Sequence, residues 1–100
     1  MKKFDTFWTE LQTQLRTPKK IKNWTVKKGN FGEDFMAQIS TKNRILCTTM
    51  KGSENYASRK DFELVYSNWE GYKSESISRN QFTQSFVTKY TISIIHQFTK

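Results

Sequence analysis

One hundred residues suit one domain, spanning 1–100, and three Trp, four Tyr and eight Phe supply the bulky apolar surface of a globular core. No stretch approaches the ~20 consecutive apolar residues of a bilayer span, and Asp5 and Glu10 interrupt any secretory leader, so a soluble cytoplasmic chain is expected with no membrane association. The formal net charge is +8, which points to polyanionic partners, and Cys47 is alone, which excludes an internal disulfide or a multi-cysteine zinc site.

The first predicted element is a helix over 3–16. Phe4, Trp8, Leu11 and Leu15 recur at helical spacing, Phe7 broadens the stripe, and Thr17-Pro18 ends it because proline disfavours a helical residue before it. A basic stretch follows, in which Lys19, Lys20, Lys22, Lys27 and Lys28 flank Trp24. Period-2 patterns then predict strands over 21–26, 34–40 and 44–50, separated by a Gly29/Gly32 turn region and by Thr41-Lys42-Asn43. They read as an antiparallel meander.

From Ser58 the period becomes helical. Ser58 with Asp61 three positions on forms a helix start, followed by the stripe Phe62, Val65, Trp69 and Tyr72. Ser78-Arg79-Asn80-Gln81 is a second capping box, with Ile77 and Phe82 placed as a hydrophobic staple, predicting a short helix to about Phe86. Thr88 then caps a last helix over 89–98, with Thr91, Ile94, Ile95 and Phe98 on one face. One bent helix over 79–98 is the alternative.

The expected fold is therefore α+β: an N-terminal helix, a three-stranded antiparallel sheet, and a two- or three-helix C-terminal half with the outline of a helix-turn-helix. In that outline the last helix presents Lys89, Tyr90, Ser93 and Gln97 to base edges and phosphates, and Arg79 and Asn80 approach the backbone. Residues 1–29 carry eight basic side chains against Asp5 and Glu10, a net +6, so the N-terminal third is the expected phosphate-binding part. Trp24 reads either as a core residue on a lysine-protected strand edge or as a stacking platform for unpaired bases.

Catalytic signals are thin. Glu33-Asp34, Glu54 and the Asp61/Glu63 pair are the only carboxylates that invite a metal-dependent nuclease reading. Capping accounts for Asp61, turn chemistry accounts for Glu33-Asp34, and Asp61 and Glu63 do not share a helix face. His96 is the sole histidine, which leaves little room for a triad, and the glycines lack phosphate-loop spacing. No cofactor or metal is expected. The reading is a small, non-enzymatic, basic nucleic-acid-binding protein, with duplex DNA favoured over single strands or RNA. The alternative is a protein-interaction module of phage or mobile-element type, an inhibitor or accessory subunit that docks on an acidic partner surface.

Overall fold

The apolar stripe near the N-terminus forms α1 (Phe4–Gln14) in a computed structural model that describes residues 2–78 and 86–100. Phe7, Trp8, Leu11 and Leu15 are buried along it. The Trp8 indole donates to the Lys42 carbonyl at 3.1 Å, and the Ile39 amide donates to the Leu15 carbonyl at 2.8 Å. These bonds seat the helix beside a β-turn far away in sequence.

That turn joins β4 (Phe35–Thr41) to β5 (Arg44–Thr49). They lie inside a four-stranded antiparallel sheet flanked by β1 (Lys19–Ile21) and β6 (Glu54–Ser58), in the order β1-β4-β5-β6. Alternation decides the two faces. Ile21, Phe35, Ala37, Ile45, Cys47 and Ala57 are buried on the inner one. The outer one carries Lys20, Met36, Gln38, Leu46, Thr48 and Tyr56, half-buried or exposed. A separate two-stranded ribbon pairs β2 (Trp24–Thr25) with β3 (Gly29–Asn30). Gly29, at φ 65°, supplies the left-handed residue that closes this three-residue loop.

The three-stranded expectation is corrected at two points. First, β6 occupies a stretch to which the sequence reading assigned no element. Ala57 is its only fully buried residue, so its sequence shows no apolar alternation, and it is held by ladder pairing with β5 from Arg44↔Ser58 to Thr48↔Glu54. Second, 21–26 is not one strand. It breaks at Lys22-Asn23, where Asn23 turns its carbonyl to the Phe31 amide (3.0 Å) and its side-chain amide to the Glu33 carbonyl (2.8 Å).

The helical C-terminal half is corrected as well. Strand β6 runs to Ser58, whose hydroxyl and backbone exchange both bonds of a capping box with Asp61 to start α2 (Arg59–Ser67). The predicted stripe then divides. Asn68 donates its side-chain amide to the Leu64 carbonyl at 2.8 Å and adopts φ −109°, which ends α2 before the short α3 (Trp69–Lys73). The second capping box, with Arg79 and Asn80, lies outside the described residues.

The last helix, α4 (Thr88–Thr99), is not an amphipathic helix with a free N-terminal side. Tyr90 through Ile95 are all buried, with Ile92, Ile94 and Ile95 fully so. The helix is enclosed by the inner sheet face (Tyr90 edge-on to Phe35 at 4.9 Å), by α2 and by the β2 segment. Six consecutive buried residues, Thr91 and Ser93 among them, mark a helix covered on most of its sides, with Lys89 left exposed on the first turn. No described helix is long and apolar enough to cross a membrane.

Candidate nucleic-acid interface

The basic stretch 18–28 has few apolar residues with which to anchor itself. Its backbone is instead fastened to α4 by side chains one helical turn apart. The Gln97 carboxamide accepts from the Lys22 amide at 3.1 Å and donates to the Lys20 carbonyl at 3.0 Å. Ser93, fully buried, accepts from the Trp24 amide at 2.9 Å and lies within donating distance of the Lys89 carbonyl at 3.0 Å. The Tyr72 hydroxyl accepts from the Val26 amide at 3.2 Å. Positions i and i+4 face the same way on a helix, so Ser93 and Gln97 form one continuous clamp along the strand edge.

The clamp displays lysines outward. Lys20, Lys22, Lys27 and Lys28 are exposed and Lys19 is half-buried. Lys28 Nζ lies 4.3 Å from the centre of the Phe31 ring, itself 59% exposed. Among the described residues the ion pairs are Lys2–Glu10, Arg59–Asp5 and Lys73–Glu70, and none of them involves a lysine of this group.

Trp24 points inward from the same segment. It is half-buried, stacks parallel on His96 with ring centres 3.9 Å apart and planes 5° apart, and lies 5.9 Å from Trp69. Burial first, then Lys100 and Lys73, hold the His96 pKa below its ordinary 6.5. Beside these rings opens a cleft of about 260 Å³.

The structure thus divides the sequence-predicted site residues. The lysines and Trp24 share one clamped segment. Lys89 is exposed on the first turn of α4, with Nζ 5.1 Å from the Tyr90 ring centre. Tyr90 and Ser93 are buried and bonded within the fold, and Gln97 is held by backbone, so these three side chains are unavailable to base edges. Their polar groups had read as recognition chemistry because the partners lie 35 to 77 positions away in sequence. Asn23 and Phe31 were not singled out, and Tyr72 was read only as part of the apolar stripe.

The carboxylates do not assemble: no group of three or more His, Cys, Asp or Glu converges among the described residues. Cys47 is fully buried and desolvation pushes its thiol pKa up to about 12. Comparison with protein-family models, curated proteins and solved structures finds no match to this chain. The functional reading therefore rests on the geometry.

Proposed function

We propose that this protein binds nucleic acid, duplex DNA foremost, by gripping the phosphate backbone with the lysines of the clamped 19–28 segment. The observation that carries the reading is the clamp: Gln97 and Ser93 fix the backbone from Lys20 to Trp24, so the ammonium groups stand on a rigid support. A preorganised cationic ridge loses less entropy on binding than lysines on a loose loop. Phosphate contacts of this kind position a protein on DNA without conveying sequence. With Tyr90 and Ser93 engaged internally, the proposal carries no base reading by α4, and binding is expected to be sequence-tolerant.

The test is fluorescence anisotropy of labelled duplex with the wild type and with Lys20→Glu, Lys22→Glu, Lys27→Glu and Lys28→Glu combined. All four side chains are exposed, so the fold should survive, as circular dichroism would check. Loss of binding for several unrelated sequences alike supports the reading. Unchanged affinity in the charge-reversed protein refutes it.

One observation favours the second reading, a protein-interaction module. The outer sheet face presents Met36, Leu46 and the 43% exposed Tyr56, with the Arg44 guanidinium 4.5 Å from the Tyr56 ring centre. A mixed apolar and cationic face of this kind suits an acidic protein surface. Partner capture that survives nuclease and is lost in Tyr56→Ser would favour it.

A further inference from the structure

Charge and aromatic surface meet at one further place, the cleft of about 260 Å³ beside Trp24. Trp24 and His96, stacked on one another, line it together with the almost fully buried Trp69, and Lys73, Thr99 and Lys100 supply its polar groups. We propose that this cleft binds a single nucleotide, its base extending the Trp24–His96 stack and its phosphate on Lys73 and Lys100. The proposal stands independently of duplex binding by the lysine ridge, because it concerns one unpaired nucleotide and a different set of cations.

Size, shape and polarity agree on this class of ligand. The cleft falls below the ~300–1,000 Å³ of sites for drug-sized molecules, so it takes up a base and leaves sugar and phosphate at its mouth, beside Lys73 and Lys100. A planar base can extend the existing Trp24–His96 stack at the half-buried imidazole, where an alkyl chain gains less, since base–aromatic stacking accepts any base through its π face. Two ammonium groups beside the rings complement a phosphate. Lys73 Nζ lies 3.4 Å from Glu70, an exposed pair that a dianion can outcompete. Thr99 donates its hydroxyl to the Ile95 carbonyl at 2.6 Å, leaving its lone pairs for an amino or hydroxyl donor.

His96 reports occupancy. The charged groups acting on it are Lys73 and Lys100, with Glu70 paired to Lys73. A phosphate placed between the two ammoniums removes their repulsion and favours imidazolium, so the His96 pKa should rise on binding.

The source of the nucleotide, free or at the end of a strand, separates by probe. Adenosine 5′-monophosphate, adenosine, ribose 5-phosphate, phenyl phosphate and a single strand with and without a 5′-phosphate would each be titrated against tryptophan emission. The pH titration of the single histidine would be followed by NMR with and without adenosine 5′-monophosphate. The expected results are quenching by the mononucleotide, an upward shift of the His96 pKa, and an affinity lower by roughly tenfold or more for adenosine or ribose 5-phosphate alone. Lys73→Gln with Lys100→Gln, both at exposed positions, should weaken mononucleotide binding by a similar factor while leaving duplex binding through Lys20 and its neighbours in place. Binding of the 5′-phosphorylated strand about tenfold or more tighter than the same strand without its 5′-phosphate, an advantage lost in the Lys73/Lys100 variant, identifies a strand end as the source, and equal binding of the two strands identifies the free nucleotide. Phenyl phosphate binding as tightly as the mononucleotide, ribose 5-phosphate binding equally well, or a His96 pKa that does not move would each overturn the assignment.

Discussion

Ser93 shows how much one side chain can carry. Its hydroxyl is the acceptor for the Trp24 amide in a site with no exposure, so removing it orphans a backbone donor. Ser93→Ala should therefore cost about 1–3 kcal/mol, read as a lower urea midpoint at unchanged slope; an unchanged midpoint would contradict the clamp. His96 gives a pH signature. Its folded-state pKa lies below the ordinary 6.5, so the unfolded chain binds the proton more readily. Stability is accordingly complete above about pH 6.5 and declines as pH falls through that value toward the folded pKa. His96→Gln should flatten that part of the stability profile measured by thermal melts. Cys47, with its pKa raised by burial, should resist a thiol reagent at neutral pH until the protein unfolds; labelling of the native protein at the rate of a free thiol would refute its enclosure.

Among the elements, α3 packs closely against the residue Ile77 that follows it. A Cβ at Gly71 would fall 2.5 Å from Cδ1 and 2.8 Å from Cγ1 of Ile77, a residue packed against the core. Gly71→Ala gains helix propensity of about 1 kcal/mol and incurs overpacking of about 1–3 kcal/mol, so a net loss and a lower melting temperature are expected. Legibility in the sequence followed how local each signal was. Helix α1, the β4–β5 hairpin and the Ser58–Asp61 cap were readable because periodicity, turn and cap chemistry lie within a few residues. Strand β6 was not, because its neighbours on β5 supply what Glu54, Asn55 and Tyr56 lack in apolar character. The break at Asn23 and the enclosure of α4 were also hidden. Both depend on pairings such as Gln97 with Lys20 that no local pattern encodes.

At the scale of the molecule, one hydrophobic cluster joins α1, the inner sheet face, α2 and α4, and the lysine segment lies at its margin. The lysines themselves were legible from charge alone. Their support was not, because the residues that looked like base readers hold the strand in place. The central claim is that this ridge grips phosphates, and the salt dependence of duplex binding tests it most directly. If Lys20, Lys22, Lys27 and Lys28 each neutralise one phosphate, log K against log salt should have a slope of roughly −3 to −4, from ~0.9 counterions released per contact. Each single Lys→Gln change should reduce its magnitude by about one. A slope near zero, or one that these substitutions leave untouched, would contradict the account.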